Sequence, residues 1–305
     1  MVTVSFSGFW KGFDPGSSIF MDLLKFTTSR EVQVVPKQSR QESSIEFHSV
    51  FQFRNSIDKA LCYMQGKFDQ EKWTNYLNKS KYGYVSRLRE SQAIRIWYSG
   101  ENLRSPHTEF DLCLGYDQSD EDLNVQYFPV WYLNFNWPFQ VPKPTRWEFS
   151  LFTKQRDLAP RLRNACVFSS YVDPARTRLI EAVRQALPVS YFGAAWGNFV
   201  TNKQLISRNF GFQVCPENDI YPGYLTEKLF ESYLAGCIPI WTGNDVSGLI
   251  NPRAFLDVTG LRSREIIDLL GSLSEEEILV MRNEPLLKRQ PDMNPIHSAL
   301  RRVIQ

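Results

Sequence analysis

The stretch Pro216–Asp245, "PENDIYPGYLTEKLFESYLAGCIPIWTGND", decides how the second half of this chain is read. Leu229, Phe230, Tyr233 and Leu234 recur at helical spacing, so the segment after Thr226 predicts an amphipathic helix, with Thr226 as its N-cap and Gly236 as its end. "CIPIWTG" then reads as a buried strand running into a Gly-Asn-Asp turn. Glu227 and Lys228 fall in the first helical turn. A lysine there opposes the helix dipole unless an anion is present. Two readings stay open at this point. Lys228 is either a solvated, salt-bridged helix start, or it joins the free amides in holding a phosphate while Glu227 accepts ribose hydroxyls.

Working outward, the same strand–helix alternation recurs on both sides. "NACVFSSY" predicts a strand and "DPARTRLIEAVRQAL" a helix, with Asp173 as N-cap and Pro174 in the first turn. Arg176 and Arg178 lie at the start of that helix. They read either as surface arginines or as bidentate phosphate ligands. "VSYFG", "NFGFQVCPEN" and "FLDVTG" complete a strand set, followed by helices over "SREIIDLLGSL" and "SEEEILVMRNEPLLKR". In the first half, "VTVSFSGF", "REVQVVP", "IEFHSVFQF", "AIRIWYSGEN", "FDLCLGYD" and "VQYFPVWYLNF" predict strands, with a helix over "SSIFMDLLKFTT". The proline-rich stretch from Trp137 to Arg163 breaks the pattern and reads as a loop or inter-domain segment. The expectation is an α/β protein of two doubly wound domains with parallel sheets, residues 1–150 and 151–305, with ligands at the carboxyl ends of the strands.

Composition narrows the function classes. The 305 residues carry 35 basic and 33 acidic side chains, a balance that gives no electrostatic footprint for nucleic acid. No apolar run is long enough to span a membrane, and "MVTVSFSGFW" alternates like a strand, unlike a signal peptide, so a cytoplasmic protein, or a catalytic segment of a longer one, is expected. The 5 cysteines form no CxxC pair and the 3 histidines are scattered, which leaves no zinc-site spacing. Cys166, Cys215 and Cys237 sit in apolar runs and are expected as reduced core residues. Aromatic residues make up 14%, read either as large aromatic cores or as partly lining a groove for a ring-shaped ligand such as a sugar. "DQSDEDL" from Asp117 is expected to be a solvated acidic turn, and the sequon Asn78-Lys79-Ser80 carries no argument. "GAAWG" at Gly193 lacks the spacing of a dinucleotide-binding turn. Glu101 follows the strong strand "IRIWYSG", at the carboxyl end where a general base or a simple turn would be placed.

Three segments together resemble the α-1,3/1,4-fucosyltransferases of glycosyltransferase family 10, in their bacterial form: "NDIYPGYLTEKLFESYLAGCIPIWTG", "WYSGENLRSP" with "FDLCLGYD", and "NACVFSSYVDPARTRLIEAV". The resemblance covers roughly Ile94 to Asp257. It implies a GT-B architecture, with an acceptor-binding N-terminal domain and a C-terminal domain that binds GDP-fucose. It implies inverting transfer of L-fucose to a hydroxyl of a GlcNAc-containing oligosaccharide. Carried over by position, Glu101 is the base, Arg176 and Lys228 neutralise the diphosphate, Glu227 binds the ribose, and Asn218 and Tyr224 line the donor pocket. Arg178 is a second cationic candidate. No metal is required on this reading, and stimulation by Mn²⁺ or Mg²⁺ is compatible with it. The membrane anchor, the C-terminal cysteines and the heptad tail seen in some members are missing, so membrane-surface contact and oligomeric state stay open. The alternatives are a GT-B enzyme with another nucleotide sugar and an inactive carbohydrate-binding scaffold.

Overall fold

Residues 1–36, 43–50, 92–101, 103–107 and 109–305 are described by the structure, a computed structural model. The sequon at 78–80, Asn102 and the later part of "IEFHSVFQF" lie outside them. The chain divides into two units. The first holds Met1–Arg146, Pro222–Tyr224 and Asp292–Gln305, and the second holds Trp147–Tyr221 and Leu225–Pro291. The division thus falls a few residues before 150, and the C-terminal segment returns to the first unit.

In the first unit β1 (Val2–Ser7), β2 (Val32–Val34), β3 (Ile45–Ser49), β4 (Ile94–Tyr98), β5 (Leu112–Gly115) and β6 (Val125–Tyr127) form a parallel six-stranded sheet, ordered β2-β1-β3-β4-β5-β6. Helix α1 (Ile19–Thr28) is capped by Ser18, whose hydroxyl accepts the Met21 N–H. Phe20 on this helix packs against Phe47, Tyr98 and Phe128, so the aromatic richness of this half serves the core. β3 is buried along its whole length, including Glu46 and His48. Those two groups are satisfied locally: Ser7 Oγ lies 2.8 Å from His48 Nδ1, and His48 Nε2 lies 3.0 Å from Glu46 Oε2. "VQYFPVWYLNF" is not one strand. After β6, Pro129 breaks the ladder and Val130–Asn134 form a 3-10 turn, with Phe128, Trp131 and Phe135 fully buried.

In the second unit β7 (Ala165–Phe168), β8 (Val189–Phe192), β9 (Phe212–Pro216), β10 (Ile238–Thr242) and β11 (Leu256–Asp257) form a parallel five-stranded sheet, ordered β11-β10-β9-β7-β8. The helices in chain order are α2 (Ser150–Thr153), α3 (Pro174–Ala186), α4 (Lys203–Ser207), α5 (Lys228–Leu234), α6 (Ser263–Ser272) and α7 (Glu275–Asn283). α8 (Asn294–Ile304) packs on α1 in the first unit. Ala165, Val167, Val214, Ile238 and Ile240 face one apolar layer with Leu179, Val183, Ile266 and Leu270 of α3 and α6. Cys166 and Cys237 face the opposite layer. Burial on both faces explains why these strands read as continuous apolar runs. Cys113, Cys166, Cys215 and Cys237 are all buried and free, as expected for core thiols, and burial contributes to raising the pKa of the first three.

Strand order reverses between β7 and β9, because β8 lies outside β7 while β9, β10 and β11 follow on the other side. The chains leaving β7 and β9 therefore diverge and open a crevice at their carboxyl ends.

Candidate active site

The crevice is a cavity of about 660 Å³ within the second unit. Its wall comes from the start of α3 (Asp173, Arg176, Arg178), from the turn after β9 (Glu217, Asn218, Asp219, Ile220), from Thr242 at the end of β10 and from the β11–α6 turn (Gly260, Leu261, Arg262). That size lies within the range of about 300–1,000 Å³ usual for small-molecule sites.

Asp173 caps α3 as its sequence predicts: Oδ1 accepts the N–H groups of Ala175 and Arg176, both at 2.9 Å. This fixes the backbone of Arg176, whose side chain is buried. Its Nη1 donates to Ser169 Oγ at 3.1 Å and to the Tyr171 carbonyl at 3.3 Å, and its guanidinium lies 4.4 Å from the Tyr171 ring centre. Gly193 lets its backbone pack closely against Ser169. It has φ +109°, and a Cβ there would fall 2.2 Å from the Ser169 carbonyl oxygen.

Arg176 Nη2 donates to Asn218 Oδ1, and Lys228 Nζ donates to the same oxygen at 3.1 Å. Two cations thus converge on one neutral oxygen. Each has a carboxylate behind it: Asp173 Oδ2 lies 3.5 Å from Arg176 Nε, and Glu217 Oε2 lies 3.1 Å from Lys228 Nζ. Arg178 is exposed on the cavity wall, and Arg262 is paired with Glu265, whose carboxyl it holds down to about 2. Arg176 and Asn218 line the cavity, Lys228 shares the Asn218 oxygen, and two cations bridged by an amide oxygen are suited to a ligand with adjacent anionic oxygens.

Two local expectations are corrected. Thr226 does not cap α5. The cap position is Glu227, with no side-chain cap bond, and Thr226 instead turns to Glu217. Lys228 pairs with Glu217, which fits the salt-bridged helix start that was one of its two open readings. Glu217 and Tyr171 were missed because a lone acidic residue and a loop tyrosine carry no motif. The one signal was an acid directly after the buried run "FQVCP". Asp117 is also not a solvated group: it accepts Arg104 Nη1 at 3.1 Å and Ser105 N at 2.7 Å, while residues 118–123 are exposed.

Arg176, Arg178, Asn218, Glu227 and Lys228 all belong to the second unit, where Arg176, Asn218 and Lys228 touch directly. Glu227 is half-buried at the head of α5, and its charge contributes to raising Glu231, after burial. Tyr224 belongs to the first unit and is buried, its ring edge-on to Tyr116 at 4.6 Å. Glu101 also belongs to the first unit. It follows β4 in a turn where its N–H donates to Ser99 Oγ at 3.2 Å and its carbonyl accepts that hydroxyl at 2.7 Å. Among the described residues no helix is long and apolar enough to cross a membrane.

Two parallel-sheet α/β units are the architecture of the GT-B fold class. Residues 158–282 match the model of the glycosyltransferase family 10 (fucosyltransferase) C-terminal region, which bears out the resemblance to family 10 on that stretch. The alpha-(1,3)-fucosyltransferase FucT of Helicobacter pylori is 26% identical over 218 residues, 61% of this chain and 45% of that protein. The 4-galactosyl-N-acetylglucosaminide 3-alpha-L-fucosyltransferase 9 of Bos taurus is 28% identical over 162 residues, 48% of this chain and 39% of that protein. The matched regions thus span less than half the length of these curated relatives. A crystal structure of an alpha1,3-fucosyltransferase with GDP-fucose superposes with a TM-score of 0.65 at 18% identity, covering 100% of this chain and 90% of that one, which shows a shared fold.

Proposed function

We propose that this protein is an inverting α-1,3-fucosyltransferase that moves L-fucose from GDP-β-L-fucose to a hydroxyl of a GlcNAc-containing oligosaccharide. The observation that carries the reading is the convergence of Arg176 and Lys228 on Asn218 Oδ1 beside the switch-point cavity. In the reaction the acceptor oxygen forms a bond to the fucose anomeric carbon as the bond from that carbon to the β-phosphate oxygen breaks. The bonding pair leaves with GDP, and the acceptor hydroxyl proton passes to the Glu101 carboxylate. Arg176 and Lys228 stabilise the charge growing on the departing diphosphate. Glu227 accepts ribose hydroxyls, Asn218 and Tyr224 border the donor, and Arg178 is a further cation on the cavity wall. With two side-chain cations in this role, the mechanism routes no step through a metal ion, and stimulation by Mn²⁺ or Mg²⁺ is compatible with it.

The test is transfer of labelled fucose from GDP-fucose to N-acetyllactosamine. The wild-type chain is expected to transfer label, and Glu101→Ala to lose at least about 100-fold in turnover, the usual scale for a general base, while still binding GDP. Normal turnover in that variant would remove Glu101 from the mechanism.

A further inference from the structure

The mechanism above does not use Glu217, yet its side chain is fully buried at the edge of the cavity and its two oxygens collect four donors. Oε1 accepts Thr226 N at 2.8 Å and Trp241 Nε1 at 3.4 Å. Oε2 accepts Thr226 Oγ1 at 2.8 Å and Lys228 Nζ at 3.1 Å. We propose that Glu217 is a positioning residue for the anion site, holding the Lys228 ammonium in place for a diphosphate oxygen. The proposal rests on the diphosphate reading of that site.

The chemistry of the four donors specifies a carboxylate. A glutamine with its oxygen at the Oε1 position keeps Thr226 N and Trp241 Nε1, and its NH₂ can donate to the Thr226 hydroxyl, but the Lys228 ammonium is left facing a donor. A buried carboxylate is in turn unfavourable unless a charge is paired with it, and Lys228 is its cation. Of the three residues Glu217 engages, Lys228 has a side chain 29% exposed, whereas Thr226 and Trp241 are buried. The flexible stem of a lysine would otherwise wander. Here Nζ is fixed from behind by Glu217 Oε2 and in front by Asn218 Oδ1, so its orientation is set before the ligand arrives. Because Thr226 is held by both of its polar groups nine residues along the chain, the same carboxylate also fixes the backbone that delivers Glu227 and Lys228.

A staple that acts only on the loop would lower stability without depending on the lysine, and a double-mutant cycle separates the two roles. Dissociation constants for GDP and for inorganic pyrophosphate are measured by calorimetry on wild type, Glu217→Gln, Lys228→Ala and the double variant, with melting curves as the check on folding. Glu217→Gln is expected to weaken both ligands roughly tenfold or more, and the double variant to bind no more weakly than Lys228→Ala alone. Wild-type affinity in Glu217→Gln, or losses that multiply in the double variant, would overturn the proposal. If the glutamine variant does not fold, Glu217→Asp replaces it in the cycle with the same two outcomes, since it keeps the charge but withdraws it from Nζ. Wild-type binding of pyrophosphate without GDP would refute the GDP donor and leave the cycle to be read on pyrophosphate. Binding of neither would overturn both readings.

Discussion

At Asn218 a single amide oxygen receives hydrogen bonds from an arginine and a lysine. Bringing two like charges to one neutral atom is unfavourable unless each is compensated, and Asp173 and Glu217 supply that compensation from the far sides. Arg176 and Asn218 line the cavity and Lys228 reaches the same Asn218 oxygen, and on the proposed reading this arrangement favours adjacent anionic oxygens over a neutral ligand. Lys228→Ala removes one of the two and is expected to weaken GDP by roughly tenfold, about 1.4 kcal/mol, and to lower the melting temperature, because it leaves the buried Glu217 carboxylate without its cation. Unaltered GDP affinity in a titration would mean that the lysine serves only its pairing with Glu217. Much of this site was readable from residue types alone: Arg176 and Lys228 are odd choices for the first turns of helices, and that oddness is chemical. The compensating role of Glu217 was not readable, because it depends on β9 and β10 lying side by side, which brings Trp241 and Thr226 around it.

Among the elements, the helix starts that shape the cavity differ in how they are held. α3 is capped by Asp173, so Asp173→Ala is expected to cost about 1 kcal/mol of unfolding free energy, measured in urea, and to loosen Arg176 along with the first turn. Asp173→Asn should restore most of the stability, since it keeps an acceptor at the cap. α5 has no side-chain cap, and its far end is closed by Gly236 at φ +78° and by Arg161, which donates to the Ala235 carbonyl at 2.9 Å. Arg163 does the same for α6, at the carbonyls of Leu270 and Leu273. The Trp137–Arg163 stretch, irregular in sequence, thus ends as a strap of arginines on helix carboxyl ends. Its lack of period hid this, because capping arginines answer to carbonyls distant in the chain. α8 meets α1 through His297, whose Nδ1 lies 2.9 Å from Thr27 Oγ1 and whose ring packs between Phe26 and Phe139. Burial first, then the Arg301 charge, hold its pKa below the ordinary histidine value, against a smaller opposing effect of Asp292. The unfolded chain therefore binds the proton more readily. Stability from this residue is fully present above about pH 6.5, the unfolded value, and is lost as pH falls below it. Melting temperatures measured from pH 7.5 to 5.5 should fall, and fall less in His297→Gln. An equal fall in both would assign the acid sensitivity elsewhere.

For the whole chain, strand periodicity and caps were enough to give two parallel α/β units, because strands buried on both faces and helices between them leave few other arrangements. Strand order was not legible: nothing in "VSYFG" says that β8 lies outside β7, and that placement creates the switch point and therefore the cavity. The return of 292–305 to the first unit was equally hidden, since the partner of α8 is α1 at the opposite end of the chain. Nearly all of the family match over residues 158–282 and the whole cavity fall in the second unit, so what that unit binds decides the proposed function. The most direct measurement is calorimetric titration of the protein with GDP-fucose, GDP and UDP, without and then with Mn²⁺. GDP-fucose and GDP are expected to bind, with no binding of UDP and no need for the metal. Binding of UDP in their place would keep the fold and contradict the fucose donor, and binding of none of the three would contradict an active nucleotide-sugar site.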